Sequence, residues 1–395
     1  MPNLRQLFLK HLAQTSEFPL MLEIEYAEGI YLYDNNGKPY IDLISGIGVS
    51  GLGHRHPRIV KAVKDQLDKY MHTLVYGEFV LSPQIKLANL LAEHLPDPLD
   101  CVYFVNSGTE ATEGAMKLAK RYTGRYEIIS CFNAYHGSSQ GAASLMSDPF
   151  FTQAFRPLLP GIRHIEFNNE SSLQNITGKT ACVIVETVQG ESGVQLPVDD
   201  FLKKLRIRCD ETGALLVLDE IQAGCGRTGS LFAFEQYDIV PDILMLAKGF
   251  GGGMPIGAFI ASGEIMNVLS FEPLLGHITT FGGHPVCCAA ALATLQELLE
   301  SDVISKVKEK EKLFRALLVH PKIKEIRSAG LMMALELDSF EFVQAVIKEC
   351  IENGIIIDWF LFNDRSLRIA PPLIIEVGDI KNACKVIVNA INNNS

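Results

Sequence analysis

Five compact apolar runs constrain this chain more than any other feature: residues 100–105, 126–131, 181–186, 215–219 and 243–247. Each is short and bounded by polar residues, as expected of strands covered on both faces of a sheet. Helical patterns fall between and before them, at residues 57–70, 83–94 and 109–123, with Pro57 and Pro83 suited to a first helical turn. Such alternation predicts a mostly parallel sheet flanked by helices, an α/β fold. With 395 residues, 48% of them apolar and 21% charged, the chain has ample material for a core and is not globally disordered. No apolar stretch nears the roughly 18 residues that a membrane helix requires.

The two ends read differently. Residues 29–34 and 38–43 form a hairpin around Asn35-Asn36-Gly37, since Asn-Gly supplies the positive φ angles of a tight turn. A helix over 286–299 and another from about residue 302 lead into a unit richer in Lys and Glu. That unit has strands at 331–337 and 355–360, a helix at 340–353 and a segment at 366–370. The expected division is an N-terminal segment contributing to a small domain (1–56), a large α/β domain (57–300) and a C-terminal α+β small domain (301–395). Leu4, Leu7, Phe8 and Leu12 share one face of an amphipathic helix, a reading preferred here to an organellar transit segment. The last residues, 391–395, look frayed. A formal net charge of −11 without long like-charge runs argues against nucleic acid as a partner. Nine cysteines without a C-x-x-C pair, several inside apolar runs, point to buried thiols in a reducing compartment, hence the cytoplasm.

The chemistry concentrates where apolar runs end. Lys248 closes one of them and opens the glycine-rich Gly249-Phe-Gly-Gly-Gly253 loop. Desolvation lowers a lysine's pKa, and a neutral amine is the nucleophile that forms a Schiff base with an aldehyde. Taken alone, a surface lysine at a strand end is the commoner outcome. Asp219, 29 residues earlier, closes another run, and a carboxylate beside such a lysine can hold a pyridinium nitrogen protonated. A helix cap or a metal ligand are the other uses of an aspartate there, metal ranking last for want of a His or Cys cluster. Asn106-Ser107-Gly108-Thr109 joins a strand to a helix start, where free N–H groups and two hydroxyls can cradle a phosphate or simply cap the helix. Gly224-Cys-Gly226-Arg-Thr-Gly229 fits the letters of a dinucleotide loop, but residues 219–223 separate it from the strand and no long helix follows. His54 and His56 are too sparse for a metal site and read as structural.

Taken with Glu186-Thr-Val-Gln-Gly190-Glu191, His277-Ile-Thr-Thr280-Phe-Gly-Gly-His-Pro285 and Leu367-Arg368-Ile-Ala-Pro-Pro372, these segments resemble the class III pyridoxal-phosphate aminotransferases over nearly the whole chain. The acetylornithine and ornithine aminotransferases are the most similar group. The resemblance implies fold type I: a large domain with a mostly parallel seven-stranded sheet, plus a smaller α+β domain. It also implies a cytoplasmic homodimer that moves an amino group between an acetylornithine-like or other ω-amino donor and the 2-oxoglutarate/glutamate pair by a ping-pong route. Lys248 would form the Schiff base with pyridoxal 5'-phosphate and carry the proton, and Asp219 would meet the ring nitrogen. Ser107, Gly108 and Thr109 would hold the phosphate, with Thr280 reaching it from the neighbouring subunit. Tyr135 would stack on one ring face and Ile221 pack on the other. Gln222 would approach the ring hydroxyl, while His136 and Glu186 complete the cofactor pocket. Arg368 would grip an α-carboxylate and Glu191 would gate it. An aminomutase, a racemase or a non-catalytic cofactor-binding protein on the same scaffold is the alternative.

The sequence departs from that pattern at Ser138, where the similar enzymes carry an arginine for the donor's distal carboxylate. A serine cannot replace a bidentate cation, and losing such a contact costs about 2–5 kcal/mol. Glu17 and Phe18 stand where ornithine enzymes place an aromatic, Thr187 replaces a usual proline, and Ser192 a usual glycine or alanine.

Overall fold

In the computed structural model, which describes residues 3–395, the strands β1 (Ile24–Glu28), β2 (Tyr31–Asp34) and β3 (Pro39–Asp42) make an antiparallel meander. The β2–β3 turn is held by Asp34, whose carboxylate accepts from the N–H groups of Asn36 and Lys38, and Gly37 takes the required positive φ of 79°. The central sheet then forms from β4 (Cys101–Val105), β5 (Glu127–Cys131), β6 (Ile162–Ile165), β7 (Thr180–Glu186), β8 (Leu215–Asp219), β9 (Ile243–Leu246) and β10 (Gly257–Ala261). Its order is β4-β10-β9-β8-β7-β5-β6, and only β10 runs against the others. Strands β7, β8, β9 and β10 are buried along their whole length, which is why they read as unbroken apolar runs rather than alternating ones.

The remaining strands are β11 (Glu325–Ala329), β12 (Met332–Glu336), β13 (Ile355–Ile356), β14 (Asp358–Trp359) and β15 (Ser366–Ile369). Antiparallel pairing gives the order β11-β12-β15-β14, whereas β13 leaves that sheet and pairs parallel to β3. The run expected as one strand over 355–360 therefore serves two sheets, divided at the fully buried Ile357. Helix Gly108–Thr123 lies against the central sheet through Ala111, Ala115, Leu118 and Ala119, all fully buried. On the other side, helix Pro285–Glu300 packs on helix Pro57–Leu67.

Several elements differ from the sequence reading. Strands β1, β6, β10 and β11 were not expected; β10 begins on a glycine and follows the glycine-rich loop, which hides it as an extension of that loop. The helix expected from about residue 302 starts at Val307, because residues 302–306 are spent in turns. Helix Leu4–His11 forms, but none of its residues is buried: Leu4 and Leu7 stay exposed, as does the cap residue Leu12. Among the described residues, no helix is long and apolar enough to cross a membrane.

Candidate active site

The carboxyl ends of β4, β7, β8 and β9 lie on one edge of the central sheet, the place where open α/β sheets bind ligands. Register fixes the neighbours: Glu186 pairs with Asp219 across β7–β8, and Asp219 with Met245 across β8–β9, three residues before Lys248. A cavity of about 550 Å³ opens there. Ser107, Gly108, Thr109, Tyr135, His136, Ser138, Glu186, Glu191, Asp219, Ile221, Gln222 and Lys248 all line it.

Asp219 is held on both oxygens. Oδ1 accepts the Ile221 N–H at 2.9 Å, and Oδ2 lies 2.7 Å from His136 Nδ1. Burial opposes charge on the His136 ring, but the Asp219 hydrogen bond, with the charges of Asp219 and Glu186, outweighs it and raises the pKa. The imidazole's other nitrogen, Nε2, is buried without a hydrogen-bond partner among the described residues. Glu186 accepts the N–H groups of Tyr135 (3.0 Å) and Gly190 (2.7 Å), pinning the loops after β5 and β7 to one carboxylate. Burial pushes that carboxyl up to about 7, with nearby His136 opposing the rise.

Lys248 follows β9 with φ 48°, a left-handed conformation that costs a non-glycine residue about 1–3 kcal/mol and is kept where surrounding structure enforces it. Burial depresses its ammonium; Glu191 opposes that shift and Arg368 adds to it. Its Nζ has no hydrogen-bond or ion-pair partner among the described residues. The amine is thus desolvated, uncommitted and facing the cavity, the condition for a nucleophilic lysine.

Ser107 caps helix Gly108–Thr123, its hydroxyl accepting from the Glu110 N–H at 3.3 Å. The N–H groups of the first turn point out of the helix without intrahelical partners and favour an anion. Close packing shapes this cradle: a Cβ on Gly257 would stand 2.4 Å from the Ser107 carbonyl oxygen, so β10 must begin with glycine. Thr109 Oγ1 shares a 2.6 Å hydrogen bond with Ser139, which in turn donates to Glu113. Glu113 also accepts from Gly141 and Ala142, fixing the loop that carries Tyr135 and Ser138. Tyr135 Oη and Ser138 Oγ are 2.8 Å apart.

At the far wall, Glu191 and Arg368 make a bidentate pair at 2.8 and 2.9 Å, both residues buried. Glu191 lines the cavity and Arg368 does not. Burial opposes the charge of Glu191, but the guanidinium of Arg368, with help from Lys248 and the Leu361 N–H, brings the carboxyl down to about 2. Gln222 Nε2 reaches the same carboxylate at 3.4 Å. Thr280 lies outside its own chain's cavity and is exposed. Val49, Val188 and Asp358 belong to the site or its backing and were missed by sequence reading. Val49 and Val188 are apolar residues with no distinguishing motif, and the place of Asp358 depends on strand register.

These residues fit pyridoxal 5'-phosphate: an uncommitted lysine, a carboxylate fixed by His136, an anion cradle of free N–H groups and a buried imidazole nitrogen without a partner converge on one cavity. Fold and site define a pyridoxal-phosphate-dependent transferase of fold type I. The sequence pattern of the family "Aminotransferase class-III" matches residues 12–391. An acetylornithine aminotransferase from Methanopyrus kandleri is 40% identical over 386 residues, covering 96% of each chain. A putrescine aminotransferase from Pectobacterium atrosepticum is 42% identical over 362 residues, 87% of this chain and 76% of that enzyme. The crystal structure of ornithine aminotransferase from Toxoplasma gondii superposes with a TM-score of 0.90 at 30% identity, covering 98% of this chain and 93% of that one. The chain belongs to the class III aminotransferases, and is a pyridoxal-phosphate-dependent aminotransferase.

Proposed function

We propose that Lys248 and Asp219 are the catalytic residues and that the chain transfers an amino group from an ω-amine donor to 2-oxoglutarate by a ping-pong route. The observation that carries this reading is the uncommitted Lys248 amine in a cavity whose wall carboxylate, Glu191, caps the buried Arg368 behind it. When bound, pyridoxal phosphate supplies an aldehyde and an electron-poor ring that stabilises negative charge at the carbon losing a proton. Asp219, oriented by His136, would hold the ring nitrogen protonated. Ser107, Gly108 and Thr109 would bind the phosphate, while Tyr135 and Ile221 confine the ring and Gln222 approaches its hydroxyl. Lys248 Nζ takes the substrate proton and returns it one atom pair further on, a role that suits its depressed pKa. Glu191 shields Arg368 while an ω-amine enters and withdraws when an α-carboxylate needs the guanidinium fork.

For the donor, we infer an ω-amine without a distal carboxylate, such as a diamine. Lys248 is the sole lysine or arginine among the described residues lining the cavity, and Ser138 offers only a hydroxyl, already engaged by Tyr135. The acetylornithine enzymes at 40% identity favour N-acetylornithine as the second reading. We further infer a cytoplasmic homodimer in which Thr280 serves the neighbouring site. The domain division at about residues 56 and 300 is likewise proposed, supported by the pairing of β3 with β13, which draws both chain ends into one sheet. The test is an absorbance titration of the holoenzyme with glutamate, putrescine, N-acetylornithine and 4-aminobutyrate. Glutamate and one ω-amine are expected to change the cofactor spectrum, and Lys248→Ala to slow that change by about 10³-fold or more. A spectrum indifferent to every donor overturns the reading.

A further inference from the structure

Arg368 carries two carboxylates, and only one of them faces the cavity. On the cavity side Glu191 takes Nη1 and Nη2. On the opposite side Asp358 Oδ1 stands 3.0 Å from Nε, but the Nε–H is not aligned on it: both atoms are buried and neither completes a hydrogen bond. The same short strand and the residue after it supply two more contacts to the guanidinium. Trp359 offers its carbonyl oxygen to Nη2 at 2.9 Å, and the Phe360 ring lies 4.6 Å beneath the guanidinium carbon. Asp358 and Arg368 are direct cross-strand partners in the β14–β15 pair, so the backbone fixes their distance whatever Glu191 does.

From this geometry we infer that Asp358 is a positioning residue, which holds the Arg368 fork aimed at the cavity when Glu191 withdraws and so sets the enzyme's grip on the α-carboxylate of the keto acid. The inference rests on the assignment of Arg368 as the α-carboxylate binder. With Glu191 in place, its bidentate grip dictates the guanidinium's orientation and leaves Nε–H off line. Once Glu191 leaves, a small rotation brings Nε–H onto Asp358, making one charge-assisted hydrogen bond as two are given up. Without Asp358, a guanidinium losing Glu191 keeps only a carbonyl and a ring face, and the long side chain is free to follow the departing carboxylate. The arriving substrate would then have to order the arginine at the expense of its own affinity. Asp358 also leaves the Arg368–Asp358 pair neutral once Glu191 is gone. The geometry of the fork, rather than excess positive charge, then selects the carboxylate.

The test compares wild type, Asp358→Ala, Asp358→Asn and Arg368→Ala as holoenzymes, by calorimetric binding of the non-reacting dicarboxylate glutarate and by single-turnover kinetics with 2-oxoglutarate and with an ω-amine. Asp358→Ala is expected to weaken glutarate binding about tenfold and raise the KM for 2-oxoglutarate in step, a loss several times larger than any in the ω-amine half-reaction. Asp358→Asn, which keeps an oxygen facing Nε, should recover most of the affinity; it also serves if the alanine variant folds poorly. Equal losses in both half-reactions would make Asp358 merely structural and overturn the inference. So would glutarate binding that Asp358→Ala leaves unchanged while Arg368→Ala abolishes it. If Arg368→Ala itself does not weaken glutarate binding, the assignment of Arg368 falls and this inference with it.

Discussion

At the scale of single residues the site is a set of buried charges, each made tolerable by a named partner. Glu191 shows the effect on proton affinity. Its carboxyl falls from an ordinary 4.5 to about 2 despite burial, because Arg368 grips the charged form. A group whose pKa is lowered by folding stabilises the fold fully above its unfolded value and loses that contribution as pH drops toward the folded one. Glu191→Gln is therefore expected to be less stable than wild type at pH 7, with the gap narrowing as pH falls from about 4.5 toward 2. Thermal midpoints of both proteins across that range measure it, and a gap independent of pH would contradict the pairing. Glu186 and Glu220 act in the opposite sense. Burial raises each to about 7, so their contribution is greatest at low pH and declines as pH rises through 7. Lys248 and Asp219 stand out in the sequence only in combination with the other segments, since each taken alone at the end of an apolar run has ordinary structural uses. Asp358 is not, since its meaning arises only when strand register sets it opposite Arg368.

At the scale of elements, the anion cradle at the start of helix Gly108–Thr123 depends on how closely that helix can approach β10. The helix carries glycine at 114, where a Cβ would stand 2.2 Å from Phe259 Cε1. Phe259 is fully buried and stacked on Tyr103 at 4.8 Å between centroids, so its ring has nowhere to turn. Gly114→Ala should destabilise by about 1–3 kcal/mol despite alanine's better helix propensity. Gly178→Ala, in open space, should stay within about 0.5 kcal/mol of wild type. Urea unfolding midpoints decide the matter, and equal midpoints for the two variants would show that the helix does not need this clearance. Sequence patterning locates the helix and five of the central strands to within a residue or two, because each is long or apolar enough to declare its period. It misses β10, whose five residues follow a run of glycines, and it joins β13 to β14, because the chain crosses from one sheet to another without a turn signal.

At the scale of the whole molecule, the proposed dimer explains an otherwise unfavourable surface. Phe271, Leu274, Leu275, Ile278 and Phe281 are all exposed in the segment that ends near Thr280, an apolar patch of the kind that marks an interface. If Thr280 serves the neighbour's site, mixing Lys248→Ala with Thr280→Ala subunits rebuilds some sites carrying both native residues. Refolded mixtures should then exceed the average of the two parents in activity, and a strict average would sink the shared site. The pairing of β3 with β13 has a consequence during synthesis. Strand β3 emerges early, yet its second neighbour is made only after most of the chain has left the ribosome. At roughly 5–20 residues per second, that leaves a bare strand edge waiting for tens of seconds. A nascent chain stalled before residue 355 carries the same open edge, and whatever shields it in the cell guards this protein's yield as much as the finished core guards its stability.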